Sequence, residues 1–89
     1  MTYRLRYSKK ASKQLDKLDA RQSKIISLWL LSNIDGCDDP RAYGSALTAD
    51  HKGKWRYRVG NYRVLVETQD SELIVLALEI GHRKEIYRQ

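Results

Sequence analysis

Four cationic side chains lie within the eleven residues of KWRYRVGNYRV, which spans residues 54–64. Gly60-Asn61 is typical of a two-residue β-hairpin turn, and such a turn would place Arg58 directly opposite Arg63. Like charges in that position weaken a strand pair by a few tenths to ~1 kcal/mol. Arginine also offers planar, bidentate donors that match phosphate oxygens, and it keeps its charge at neutral pH. The spacing therefore indicates an anion-binding surface.

The same turn divides the hairpin into two faces, because side chains alternate along a strand. The apolar face is expected to hold Trp55, Tyr57, Val59, Tyr62, Val64 and Val66. The opposite face is expected to hold Arg56, Arg58, Arg63 and Leu65, with Glu67 further from the turn. A solvated surface without a ligand is the alternative interpretation. Three arginines on one strand pair, with no acid opposite them, favour an anion site.

A second cluster, GHRKEIY at residues 81–87, follows the last predicted strand. His82 and Arg83 come where side chains can project over the end of a sheet. Tyr87 lies four residues after Arg83, so the two would share a face of a helical tail. A surface histidine and a tyrosine ring that anchors the terminus are the alternative interpretations.

The first half of the chain predicts one strand followed by two helices. TYRLRYS alternates and indicates a strand with Arg4 and Arg6 on its polar face. Ser8 is a predicted N-cap of the first helix, which extends to Asp19. Asp19 and Gln22 resemble a capping box that opens a second helix, through the broadly apolar KIISLWLLSNI.

The second half predicts a long loop and then three strands. Residues 36–53 lack a clear period, with a short helical turn expected within residues 41–47. WRYRV, YRVLVET and ELIVLALEI are separated by short turns, with the second turn placed at residues 69–71. They predict an antiparallel meander whose last strand is interior and covered on both faces. The expected fold is α+β, in the order β-α-α-β-β-β, with two helices on one sheet face and a short C-terminal tail or helix.

Composition sets limits on the function. With 89 residues, 42% hydrophobic and 31% charged, the chain is expected to form one domain, residues 1–89. The net charge of +6 indicates a polyanionic partner: nucleic acid, an acidic protein or an anionic membrane surface. A single cysteine, Cys37, excludes an internal disulfide and fits a reduced cytoplasm. Neither a signal peptide nor a membrane span is expected.

The sequence contains no phosphate-binding Gly-Lys-Ser/Thr loop, no His-x-x-x-His spacing and no nucleophile elbow. Neither a metal nor an organic cofactor is therefore expected.

DPRAYGSAL, KWRYRVGNYRV and GHRKEIY, in this order after β-α-α, resemble the RelE/ParE toxin superfamily. The match is closer to the RelE-type messenger RNA interferases of bacterial type II toxin–antitoxin systems, and it covers nearly the whole chain. The resemblance implies a ribosome-dependent endoribonuclease that cuts messenger RNA in the A site and inhibits translation. In such enzymes the ribose 2′-hydroxyl attacks the adjacent phosphate without a metal, leaving a 2′,3′-cyclic phosphate and a 5′-hydroxyl.

The resemblance also implies roles for individual residues. The expected RNA-binding residues are Lys54, Arg56, Arg58, Arg63 and Arg83. Among them, Arg56, Arg58 and Arg63 would surround the scissile phosphate, and Arg63 and Arg83 would stabilise the phosphorane. Tyr87 would stack on a base or orient the 2′-hydroxyl.

The positions of Arg56 and Arg58 are lysines in the best-known RelE pattern. Arginine is a poor general base because its pKa is above ~12. His82 is the best replacement, since histidine titrates near neutral pH. Lys54 and Tyr87 are weaker candidates, and catalysis by positioning and electrostatics is a further alternative.

Two alternative functions are also compatible with the sequence: a ParE-like gyrase inhibitor and an RNA-binding module without chemistry. The toxin interpretations imply a cognate antitoxin, RelB-like or of another family, that wraps the domain. They imply the ribosome and messenger RNA as further partners, and contact with operator DNA only indirectly, through the antitoxin. No membrane partner is expected.

Overall fold

The computed structural model describes residues 1–47 and 54–82, which form two α-helices, one short 3₁₀ turn and five strands. The α-helices are α1 (Lys9–Lys17) and α2 (Ala20–Asn33), and the 3₁₀ turn is Pro40–Ala42. The strands are β1 (Arg4–Tyr7), β2 (Ser45–Ala46), β3 (Lys54–Val59), β4 (Tyr62–Gln69) and β5 (Ile74–His82). The predicted α+β class is confirmed, with β2 as an additional strand.

Both helices begin where the capping residues predict. The Ser8 hydroxyl accepts a hydrogen bond from the Ala11 amide at 3.0 Å, and Asp19 Oδ1 accepts one from the Gln22 amide at 3.0 Å. Each cap satisfies an amide that has no partner within its own helix.

The five strands form one mixed sheet in the order β1-β5-β4-β3-β2. The predicted antiparallel meander of β3, β4 and β5 is confirmed, whereas β1 pairs parallel to β5. The turn before β5 is longer than predicted and occupies residues 70–73. Leu73 adopts a φ of 55° there, so the strand begins at Ile74 rather than at Glu72.

The helices cover one face of the sheet and enclose the core. Side chains from α1 and α2 pack there against alternate residues of β3, β4 and β5. The buried set includes Ala11, Ile26, Leu30, Tyr57, Val64, Val66, Val75 and Ala77. β5 is interior as predicted, but its second face is only partly covered, since Ile74 and Leu76 are half-buried.

α1 takes the place of a neighbouring strand beside the second half of β5, because β1 ends at Tyr7. The Ser8 amide donates to the Ala77 carbonyl at 2.9 Å, and the Ser8 hydroxyl donates to the Leu78 carbonyl at 3.0 Å. Further along, the Ile80 amide donates to Gln14 Oε1 at 2.7 Å. These contacts satisfy edge groups of β5 that would otherwise be available to another chain.

The segment from the 3₁₀ turn to β2 lies closely against β3. The Tyr57 hydroxyl donates to the Pro40 carbonyl at 2.6 Å, and Trp55 Nε1 donates to the Tyr43 carbonyl at 2.5 Å. Gly44 has a φ of 75°, which ends the turn and brings the backbone onto β3. The helical turn that was predicted within residues 41–47 is a short 3₁₀ turn at Pro40–Ala42.

No helix in the described ranges, 1–47 and 54–82, has the length and apolar character needed to cross a membrane.

Gly44→Ala is expected to lower the free energy of unfolding by about 2–4 kcal/mol, because it adds both backbone strain and a clash. An added Cβ would lie 2.1 Å from the Arg56 carbonyl oxygen. Gly36→Ala is the control: Gly36 also has positive φ, but nothing lies within 4 Å of an added Cβ, so roughly 1–2 kcal/mol is expected. Urea unfolding of both variants measures the difference, and equal losses would contradict the close packing of Gly44.

Candidate nucleic-acid interface

The hairpin has the predicted register. Arg58 pairs with Arg63 and Arg56 pairs with Leu65, next to a two-residue turn at Gly60-Asn61. Gly60 has a φ of 61°, as the first central residue of a type II′ turn requires. The predicted juxtaposition of two arginines across the ladder is therefore confirmed.

The arginine pair is asymmetric in exposure. Arg58 is exposed on β3, whereas Arg63 lies between β3 and β5 and is only 5% exposed. On the β5 side Arg63 pairs with Gly81. Glycine therefore presents no side chain beside Arg63 on this strand.

The pairing of β1 with β5 extends the arginine-bearing face of the hairpin across the rest of the sheet. Arg4 pairs with Ile74 and Arg6 with Leu76, and all four lie on the face opposite the helices, since Leu5 and Tyr7 pack against the core. We call this surface the cationic face. In the part of the chain that the structure describes, its basic side chains are Arg4, Arg6, Lys54, Arg56, Arg58 and Arg63.

Arg4 and Arg6 were not predicted as site residues. The alternation of β1 places them on its polar face, but only the parallel pairing with β5 shows which face of the sheet that is.

Within residues 1–47 and 54–82, two acids interrupt the cationic face. Lys54 Nζ lies 3.2 Å from Glu67 Oε2, and Gln69 Nε2 donates to Glu67 Oε1 at 2.9 Å. The bonds from Gln69 and Lys54 hold the pKa of Glu67 below its usual value. Glu79 enters the same face from β5, opposite Leu65. Neither acid lies directly opposite an arginine, since Glu67 pairs with Lys54 and Glu79 pairs with Leu65.

β2 fixes one of the arginines. Ser45 pairs with Arg56, and Arg56 Nε donates to Ser45 Oγ at 3.2 Å. This contact restrains the side chain before any ligand binds, which lowers the entropy that binding must overcome.

His82 lies on the other face of the sheet from the arginines. It is the last residue of β5 and pairs with Tyr62, and the two rings meet edge to face at 5.7 Å. Tyr62 shares its face with buried Val59, its partner on β3. The sheet therefore separates the His82 imidazole from Arg63, which disfavours His82 as a base for chemistry on the cationic face. Arg83 and Tyr87 lie outside the described residues.

A surface of this kind can bind a polyanion and stabilise negative charge that develops on a phosphate. No group of three or more His, Cys, Asp or Glu side chains placed to hold a metal occurs in residues 1–47 and 54–82.

Comparison with known proteins decides the family. The family described as "ParE toxin of type II toxin-antitoxin system, parDE" matches residues 5–87. The chain belongs to this family. It is accordingly a type II toxin of the RelE/ParE superfamily with a RelE-like fold, as the sequence motifs predict.

Similar proteins include free toxins and chains of toxin–antitoxin complexes. Toxin RelG of Mycobacterium tuberculosis is 28% identical over 89 residues, covering 100% of both chains. A toxin chain in the complex RelBE2 of M. tuberculosis has a TM-score of 0.82 and 25% identity, with 93% of each chain covered. A mutant of the E. coli toxin RelE in the free state has a TM-score of 0.75 and 19% identity, covering 99% of this chain and 93% of that chain.

Arg58→Gln is expected to raise the free energy of unfolding by a few tenths to ~1 kcal/mol, because it removes the like-charge pair with Arg63. Arg4→Gln is the matched control, since Arg4 is also exposed on the cationic face but pairs with Ile74. Urea unfolding at low ionic strength measures both variants. A loss of stability in Arg58→Gln would show that the arginine pair does not oppose folding.

Proposed function

We propose that this toxin is a ribosome-dependent endoribonuclease that cleaves messenger RNA in the A site and thereby stops translation in the cytoplasm. The observation that carries the proposal is the cationic face, with Arg63 at the centre of the sheet between Arg58 and Gly81. Similarity to toxin RelG and to RelE structures supports it. The proposal treats residues 1–89 as one functional domain.

The proposed reaction needs charge stabilisation and positioning. The ribose 2′-oxygen attacks the adjacent phosphorus, a P–O bond to the 5′-oxygen breaks, and a 2′,3′-cyclic phosphate forms. A proton leaves the 2′-hydroxyl and another reaches the departing 5′-oxygen. Arg56, Arg58 and Arg63 would surround the phosphate, and Arg63 with Arg83 would stabilise the phosphorane.

Proton transfer is assigned to the cationic face or to the C-terminal segment rather than to His82. Lys54 lies on that face, but it forms an ion pair with Glu67, so it would have to leave that pair and lose a proton before it could act as the base. Tyr87 is the other candidate, and it would also stack on a base or orient the 2′-hydroxyl. In this proposal most of the acceleration comes from electrostatic stabilisation and from alignment of the message by the ribosome.

Arg83→Ala is expected to lower the rate of message cleavage by roughly 10²–10³-fold, because it removes one group that stabilises the transition state. His82→Gln is the adjacent control and is expected to cleave within a few-fold of wild type. The measurement is end-group analysis of messages on translating ribosomes, with circular dichroism to verify folding.

Loss of cleavage in His82→Gln together with full activity in Arg83→Ala would assign the catalytic role to His82 instead of Arg83. Absence of cyclic-phosphate ends with the wild-type protein would contradict the nuclease itself.

Gyrase inhibition is a second candidate, because the matching family is described by its ParE toxins. A supercoiling assay separates the two functions: inhibited supercoiling with intact messages would replace the nuclease proposal. An RNA-binding module without chemistry would give salt-dependent RNA binding and neither activity.

An antitoxin is the proposed protein partner. One of the similar structures is the toxin–antitoxin complex RelBE2 of M. tuberculosis. In this chain, the outer side of α2 presents large apolar side chains to solvent: Ile25 (43% exposed), Leu28 (49%) and Leu31 (55%). Such a patch, on a chain of net charge +6, suits an acidic segment with apolar anchors, from a RelB-like or other antitoxin. Operator DNA would be contacted only through that antitoxin.

Leu28→Ser with Leu31→Ser is expected to weaken binding of the protein encoded beside the toxin gene by at least tenfold, because apolar contact area is lost. The toxin's own stability should change little, since both side chains are exposed. Ser27→Ala with Ser32→Ala on the same helix is the control, and isothermal calorimetry measures the affinity. Unchanged affinity in the leucine variant would exclude the outer face of α2 as the antitoxin site.

A further inference from the structure

We propose that a lysine stripe on α1, formed by Lys10, Lys13 and Lys17, extends the cationic face around the edge of β5 and binds RNA phosphates away from the cleavage site. The choice of RNA as ligand rests on the proposed function. The location of the surface rests on the contacts of α1 with β5.

The three lysines occupy one side of α1. Their spacing of three and four residues places them on the same helical face, and all three are exposed. Gln14 lies between this face and the core side of the helix. Its side chain accepts the hydrogen bond from the Ile80 amide, which fixes the rotation of α1 relative to β5. The stripe therefore runs beside the second half of that strand.

An ion pair joins the stripe to the cationic face. Lys10 Nζ lies 2.7 Å from Glu79 Oε1, and the Glu79 side chain is only 6% exposed. Register places Glu79 opposite Leu65, on the same side as Arg56. A buried carboxylate needs a charged partner, so Lys10 is held in place while 60% of its side chain stays exposed. This pair therefore places the start of the stripe beside the β5 part of the cationic face.

Lys13 and Lys17 have no such structural role. Within residues 1–47 and 54–82 neither forms an ion pair. Their charges are available to an external anion, and together with Lys10 they extend over about 10 Å of helix. This length allows contact with more than one phosphate of a single strand.

The surroundings of the stripe favour RNA over an acidic protein. The apolar side chains of α1 turn inward: Ala11 is buried, and Leu15 and Leu18 pack against the core. Protein interfaces need apolar anchors and are depleted in lysine, whereas phosphate contacts need little more than positive charge. Exposed apolar anchors occur instead on α2, where the antitoxin is proposed to bind.

The test compares two double variants that each remove two positive charges. Lys13→Gln with Lys17→Gln alters the stripe and leaves the Lys10–Glu79 pair intact. Arg21→Gln with Lys24→Gln alters exposed cations at the start of α2 and is the matched control. Fluorescence anisotropy with a fluorescein-labelled RNA hairpin, titrated at several salt concentrations, gives the affinity and its salt dependence.

We expect the lysine variant to bind the hairpin about tenfold or more weakly at ~100 mM salt. The slope of log K against log salt should fall in magnitude by about 1.4–1.8, as two lost phosphate contacts require. The arginine–lysine control should keep the wild-type slope. Equal losses of RNA affinity in both variants would show that only the net charge matters, and would overturn the proposal. An unchanged slope of log K against log salt in the lysine variant would also overturn it.

An oligoglutamate peptide is the second probe. If it binds the wild type as tightly as the hairpin and loses affinity in the same variant, the stripe is a protein-contact surface and the RNA proposal fails. Message cleavage is measured separately. A wild-type protein that binds RNA through the stripe but leaves messages intact would contradict the nuclease proposal while supporting the stripe.

Discussion

The two-residue turn at Gly60-Asn61 fixes the register of β3 against β4, and the position of the hairpin arginines on the cationic face depends on that register. Because side chains alternate along a strand, a slip of β3 by one residue would turn Arg56 and Arg58 into the core and Tyr57 out to solvent. Burial of the apolar set therefore holds Arg58 opposite Arg63 despite their repulsion. The core supplies the stability, and the opposite face is left free to concentrate positive charge.

The edge of β5 is the second constraint. β1 covers only its first half, and α1 satisfies the remainder through Ser8 and Gln14. This arrangement closes an edge that would invite pairing with another chain. It also brings Lys10 to Glu79, so the same contacts that protect the sheet join the helix to the cationic face. The docking of α1 beside β5 therefore both protects the edge of the sheet and extends the charged surface.

The helix caps, the meander and the hairpin register were predictable because each depends on neighbours in the chain. Ser8 and Asp19 cap by local hydrogen bonds, and the Gly60 turn determines every pair from Val59–Tyr62 outward. β2 was missed because two residues carry too little alternation to identify a strand. The start of β5 was misplaced because Leu73 adopts a left-handed conformation that its residue type does not indicate.

The sequence by itself determined the α+β class, the family and the two faces of the hairpin, since alternation and capping are local properties of the chain. Only the tertiary structure decided which distant groups share the cationic face. Parallel pairing of β1 with β5 adds Arg4 and Arg6, and β5 contributes Glu79 beside the arginines. It also places His82 on the opposite side, with Tyr62. Strand order and direction set these relations, and no short-range pattern in the sequence encodes them.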